Sequence, residues 1–137
     1  MFKHIMVPVD LAQKDKWERG ISVACDLARH YGAGMTLVSV TGGLQARVSH
    51  SSAEYGRQLE AFAAEIAARE TVNVETWIYD VPDPSVEVDR ILIKAAEETG
   101  SDLIVMATHQ PGWMEYIVNS HGGRLASHAS VSVMLVR

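Results

Sequence analysis

The sequence predicts an α/β fold: an open sheet of five parallel strands with helices packed on both faces. Three observations predict it. Short, nearly continuous apolar runs alternate with longer stretches of helical periodicity. The runs have the length and character of strands buried on both faces of a parallel sheet. The chain of 137 residues is 47% hydrophobic and 21% charged, which supplies a proper core and leaves no disordered tail. Strand–helix alternation repeated along a chain means parallel βαβ units with right-handed crossovers.

The elements follow in order. Phe2 to Val9 is the first apolar run, ended by Asp10. From about Lys14 to His30 the repeat is helical, with Trp17, Ile21, Ala24 and Ala28 on one stripe that Val23 and Leu27 widen. Gly32 and Gly34 are its stop signals. Met35 to Val40 is the second strand, and Thr41 to Ser52 is a polar, glycine-bearing loop. Tyr55, Leu59, Phe62 and Ile66 mark a second amphipathic helix that ends near Arg69. Val72 to Tyr79 is the third strand, with Val74, Thr76 and Ile78 alternating against polar or outward positions. Asp83 and Pro84 open a third helix as N-cap and first residue, since proline there gives up no needed N–H. Val88, Ile91, Leu92, Ala95 and Ala96 are its buried face, and Gly100 stops it. Leu103 to Met106 is the most apolar strand; a last helix from about Ser120 to His128 leads into the closing strand, Val131 to Val136. No Ser/Pro-rich linker or charge block interrupts the series, so residues 1–137 read as a single domain.

Composition excludes several functions. A formal net charge of −5 argues against binding duplex nucleic acid, which depends on neutralising phosphates, yet permits a nucleotide held by aimed backbone N–H groups. The single cysteine, Cys25, reads as a small buried thiol. No targeting or membrane-spanning pattern stands out, so the expectation is a reduced, cytoplasmic protein with no membrane association. Neither a P-loop nor a GxGxxG fingerprint occurs. Six histidines (His4, His30, His50, His109, His121 and His128) lack the spacing of a metal set, and no metal ligand is assigned.

Ligands of open α/β sheets bind beyond the carboxyl ends of the strands, where strand order reverses. If the first and fourth strands are central neighbours, Pro8-Val9-Asp10-Leu11 faces the segment from Ala107 to Gly112 across that crevice. Met6-Val7-Pro8-Val9-Asp10, the run from Asp102 to His109, and the ending from Ser130 to Arg137 together resemble the universal stress protein (UspA) family. The resemblance spans essentially the whole chain, and His109-Gln110-Pro111 is similar to a short-loop, His-x-Pro branch. It implies a Rossmann-like sheet of order 3-2-1-4-5 and a stress-response or signalling module that binds an adenine nucleotide, ATP or AMP, with Mg2+ as a companion of ATP. Other members of the family bind none, so the alternative is a dimeric structural or adaptor protein without nucleotide.

The family's glycine motif is degenerate here. Ala107 stands for its first glycine, Gln110 for its second and Asn119 for the late one, followed by a retained Ser120. Glycine is needed only where φ is positive or a phosphate approaches closely, so Ala107 is tolerable at negative φ, and Asn119 is the non-glycine residue most at ease in the left-handed region. Asn119 capping the last helix would leave N–H groups of Ser120, His121 and Gly122 for an anion. Gln110 either blocks the phosphate path or donates to it. His109 either contacts phosphate or shapes the turn. Asp10 lies near the sugar by resemblance, but an Asx-turn or N-cap role suits its position equally. Pro8 and Val9 would wall the base and offer backbone groups to it, Val40 matches the family's adenine neighbour, and Met106 precedes Ala107 at the strand end.

No catalytic residue is assigned. Phosphoryl transfer calls for Lys, Arg or Mg2+ around the phosphates, and the segment from Ala107 to Gly122 has neither Lys nor Arg; slow ATP hydrolysis is the most it would support. Trp113, Met114, Tyr116 and Ile117 form an apolar loop that either packs home or meets a partner. Val131 to Val136, with Val133, Leu135 and Val136 as its sticky side chains, is expected to be an edge strand that joins two copies into a homodimer.

Overall fold

In the computed structural model, residues 1–12, 17–42, 52–82, 84–107, 125 and 127–137 are described. Among the described residues, eight elements run in the order β1 (His4–Pro8), α1 (Glu18–Tyr31), β2 (Gly34–Thr41), α2 (Ser52–Glu70), β3 (Val74–Asp80), α3 (Pro84–Glu98), β4 (Leu103–Ala107) and β5 (Ser132–Val136). The five strands form one sheet, β3-β2-β1-β4-β5, and every pairing is parallel. This is the doubly wound order that the resemblance implied.

Strand depth follows composition. All five residues of β4 are buried, as are all of β2 after Gly34, because helices cover both faces of the sheet's middle. At the β3 edge the pattern alternates, with Val74, Thr76 and Ile78 turned toward the protein and Glu75 and Trp77 exposed. The core joins Ile5, Met6, Leu37, Ile104 and Met106 of the sheet to Ile21, Ala24, Leu59, Ile66, Leu92 and Ala95 of the helices.

Several boundaries move from their expected places, each for a local reason. α1 begins at Glu18, with Trp17 outside it at the N-cap and only 1% exposed; its carbonyl accepts the Ile21 N–H at 2.9 Å. Gly32 closes α1 in the left-handed conformation at φ 64°, but Gly34 is the first residue of β2 rather than part of the cap. A β-carbon on Gly34 would come 2.9 Å from Nδ1 of His4. His4 itself is half-buried, with Nε2 2.6 Å from the Thr36 hydroxyl. Val72 and Asn73 precede β3 instead of belonging to it. α2 ends without glycine: Thr71 takes the positive φ of 55°, and its N–H donates to the Ala67 carbonyl at 3.0 Å. Asp83, expected to cap α3, lies outside the described residues, while Pro84 is the first residue of that helix as its fixed φ suits.

Asp102 secures the amino ends of the central strands. Its carboxylate accepts the Lys3 N–H at 2.9 Å and the His4 N–H at 3.1 Å, and its own N–H donates to the His4 carbonyl at 3.0 Å. On the outer face Arg29 and Arg69 bridge α1 to the end of α2 through Glu70 and Glu18. Cys25 is fully buried beneath them, and burial, reinforced by Glu70, pushes its thiol up to about 11.

Candidate functional site: the crevice between β1 and β4

The site begins where two strands part. β1 stays in register with β2 as far as Pro8 opposite Val38, but with β4 it registers only through Ile5–Leu103 and Met6–Ile104. β1 therefore follows β2 and leaves β4 toward their carboxyl ends. Strand order reverses between these two strands, so the opening lies at the topological switch point of the sheet.

The β1 rim, Val9 to Ala12, is held by side chains from β2, from α2 and from the residue that precedes α1. The Val9 N–H donates to the Val38 carbonyl at 2.8 Å. The Val9 carbonyl accepts the Ser39 hydroxyl of β2 at 2.7 Å. The Asp10 carbonyl accepts the Trp17 indole N–H at 2.7 Å. The Leu11 N–H donates to the Tyr55 phenolic oxygen in the first turn of α2 at 3.1 Å, and that phenol in turn donates to the Ser39 hydroxyl at 3.2 Å. Burial raises the Tyr55 phenol above its ordinary range, which keeps it protonated and able to donate.

Asp10 is 2% exposed, and its Oδ1 accepts the Ala12 N–H at 3.0 Å, the geometry of an Asx-turn. That turn reverses the chain as it leaves the sheet. The backbone that Val9 was expected to offer to a base is already engaged on both sides, so Val9 contributes chiefly a buried wall together with Pro8.

On the β2 side Val40 is fully buried. Beyond it, the Thr41 carbonyl accepts the Val81 N–H at 2.8 Å, and Gly42 takes φ 144° against the Val81 carbonyl. On the β4 side Met106 and Ala107 are buried at the strand end. Among the described non-glycine residues only Thr71 has a positive φ, so the backbone at Ala107 does not require glycine. Gly20 of α1 lies opposite: a β-carbon there would sit 3.4 Å from that of Ala107, which places the helix in close contact with the strand end.

The structure thus brings Pro8, Val9, Asp10, Val40, Met106 and Ala107 to one end of the sheet. His109, Gln110, Asn119, Ser120, His121 and Gly122 lie outside the described residues, as do His50, Trp113, Met114, Tyr116 and Ile117. Among the described residues no group of three or more His, Cys, Asp or Glu could hold a metal ion, and no helix is long and apolar enough to cross a membrane.

Sequence reasoning overlooked the polar parts of Ser39, Trp17 and Tyr55. Trp17 and Tyr55 stood out only as apolar stripe positions. The signal was present in their chemistry, since a buried Trp or Tyr normally finds a partner for its N–H or O–H.

A model of the universal stress protein family matches residues 1–137. The chain belongs to the universal stress protein family. A universal stress protein family structure from Burkholderia pseudomallei is 26% identical, covers 98% of this chain and 95% of its own, and superposes with a TM-score of 0.72. The Archaeoglobus fulgidus universal stress protein in complex with dAMP is 19% identical, with 98% of each chain covered and a TM-score of 0.68. An Arabidopsis thaliana member with AMP bound is 17% identical, covers 98% of this chain and 90% of its own, and has a TM-score of 0.68. At those last two identities the likeness is one of fold.

Proposed function

We propose that this universal stress protein is a stress-response or signalling module that binds an adenine nucleotide, AMP or ATP, in the crevice between β1 and β4. The observation that carries the reading is the early parting of β1 from β4 at the switch point, with a pre-formed, internally hydrogen-bonded rim at Val9 to Ala12. Fold relatives whose structures hold AMP, dAMP and cAMP support a nucleotide as the occupant. In this reading the base lies against Pro8, Val9 and Val40 and the sugar near Asp10. The phosphates meet backbone donors around Ala107 to Gln110 and Asn119 to Gly122, with Mg2+ accompanying ATP.

The site is read as one that binds rather than reacts, because the phosphate segment has no Lys or Arg in its sequence to stabilise transferring charge. Isothermal calorimetry with AMP, ATP and GTP tests the proposal. Saturable heat with an adenine nucleotide supports it. No heat at millimolar concentration favours a second reading, the non-binding dimeric adaptor, for which the Asx-turn use of Asp10 is the supporting observation.

The protein is further proposed to act in the cytoplasm as a homodimer joined through residues 131–136. Of the three side chains expected on offer, Leu135 is exposed, 49% accessible, whereas Val133 and Val136 pack partly against the core and Met134, 36% accessible, joins Leu135 instead. Leu135→Lys is expected to shift the sedimentation coefficient from dimer to monomer, and an unchanged dimer would remove the assignment of that edge.

A further inference from the structure

The two edges of the sheet are unlike. β5 is five residues long, whereas β3 runs for seven, Val74–Asp80, with neither proline nor lysine among them. Short length, lysine or proline normally blunts an edge, because an open row of backbone groups templates the pairing of another chain. No residue of β3 is fully buried, and Trp77 at its centre is 41% exposed.

The ladder to β2 shows which groups face outward. At its two ends the Met35 N–H donates to the Asn73 carbonyl at 3.0 Å and the Val81 N–H to the Thr41 carbonyl at 2.8 Å. A parallel ladder uses every second residue of a strand, so the odd-numbered residues from 73 to 81 turn their backbone toward β2. The even-numbered Val74, Thr76, Ile78 and Asp80 turn theirs away, and no strand lies on that side among the described residues. Side chains alternate with the same period. The β-branched Val74, Thr76 and Ile78 share one face, and Glu75, Trp77 and Tyr79 share the other.

We propose that the outer edge of β3 binds an extended segment of a partner protein in which basic and β-branched residues alternate, adding it to the sheet as a further strand. Added antiparallel, the segment meets Glu75, Trp77 and Tyr79 at non-hydrogen-bonded positions, where opposing Cα atoms are about 4.5 Å apart and side chains lie closest. A lysine or arginine there pairs with the Glu75 carboxylate or covers the Trp77 indole, while the alternate residues extend the aliphatic face. The protein already places one cation on this surface: Lys94 Nζ lies 6.0 Å from the Tyr79 ring centroid and 3.6 Å from Glu98. The Tyr79 hydroxyl donates to Glu98, which holds that ring in place. Charge selects the occupant. Glu75 and Asp80 are exposed and take part in no ion pair among the described residues. A second copy would bring the same two carboxylates to the edge, so like charge opposes self-pairing and favours a basic segment.

The test uses the full chain and a capped synthetic peptide of alternating lysine and valine, with an alternating glutamate–valine peptide as control. Calorimetry reads affinity. Hydrogen exchange reads the outward amides of Thr76 and Ile78 against those of Trp77 and Tyr79, which the β2 ladder already protects. The lysine–valine peptide is expected to bind and to slow exchange at Thr76 and Ile78 by roughly tenfold or more; the glutamate–valine peptide is expected to do neither. Glu75→Lys weakens binding by roughly tenfold, and Thr76→Pro, which removes an N–H that β2 does not use, abolishes it. Glu75→Lys changes an exposed side chain, so it keeps the test decisive if Thr76→Pro fails to fold. Binding that leaves exchange at Thr76 and Ile78 unchanged, or that Glu75→Lys retains in full, is general attraction to an acidic surface and overturns the proposal. Equal binding of the two peptides overturns it, as does the absence of binding. Protection of Thr76 and Ile78 that rises with protein concentration alone assigns the edge to a second copy and overturns it too.

Discussion

Gly42 is the position where one methyl group should do the most damage. It follows β2 directly, is buried, and adopts φ 144°, a conformation that side chains rarely take. A β-carbon built there would lie 1.6 Å from the Val81 carbonyl oxygen and 2.8 Å from its carbon. Both neighbours are backbone, so no rotamer change relieves the overlap. The carbonyl must retreat by roughly 2 Å to reach ordinary contact distance, and this movement would break the 2.8 Å bond from the Val81 N–H to the Thr41 carbonyl. Loss of that bond costs about 1 kcal/mol, and forcing alanine into a glycine-only conformation adds about 2–3 kcal/mol. Gly42→Ala is therefore expected to destabilise the protein by about 3–4 kcal/mol, lowering Tm by roughly 10 °C for a chain of this size. Urea unfolding followed by circular dichroism measures the first quantity and a thermal scan the second. A variant within about 0.5 kcal/mol of wild type, the range of an ordinary surface change, would show the turn to be free to relax and refute the reasoning.

Other outcomes follow from the same geometry. Asp102→Ala removes the acceptor of the Lys3 and His4 amides and should cost about 2 kcal/mol in urea unfolding, with Asp102→Asn recovering part of the loss. The Cys25 thiol, raised from an ordinary 9.0 to about 11, stays protonated in the fold while the unfolded chain would ionise. Its contribution is thus complete below pH 9 and is lost as pH rises toward 11; the difference in urea midpoint between wild type and Cys25→Ala should shrink across that window, and native protein should resist alkylation at pH 8. The Glu70 carboxyl is held below its ordinary range by hydrogen bonds from Arg29 and Arg69, so its stabilisation is present above the unfolded value of 4.5 and disappears as pH falls through the lower folded one. Glu70→Gln should flatten the acid limb of the stability profile, and added salt should reduce the difference from wild type.

Much of the fold was legible because periodicity reports burial directly. Leu103 to Met106 read as the most apolar strand and is buried throughout, and Ile21, Ala24 and Ala28 read as one helix face and are buried together. Boundaries were less legible where a side chain acts by its polar end. Trp17 fits the apolar stripe of α1 by spacing, yet its indole N–H belongs to the Asp10 carbonyl and it sits at the N-cap. Tyr55 was readable as core but not as the partner of Leu11, 44 positions away in the chain. Of the candidate site, the β1 and β4 rims were legible from strand ends, Val40 and the sugar role of Asp10 came from the family resemblance, and His109, Gln110 and Asn119 to Gly122 lie outside the described residues.

The sequence by itself determined the family, the parallel α/β class and each strand's end to within one residue, because these depend on local patterns of apolar and turn-forming side chains. Only the tertiary structure decided which backbone groups at the crevice are already engaged. Val9, Asp10 and Leu11 read alike as rim residues in one dimension, but their bonds to Ser39, Trp17 and Tyr55 come from three other segments of the chain. Hydrogen bonds act over about 3 Å, and contacts of that length between distant positions exist only once packing has brought the elements together.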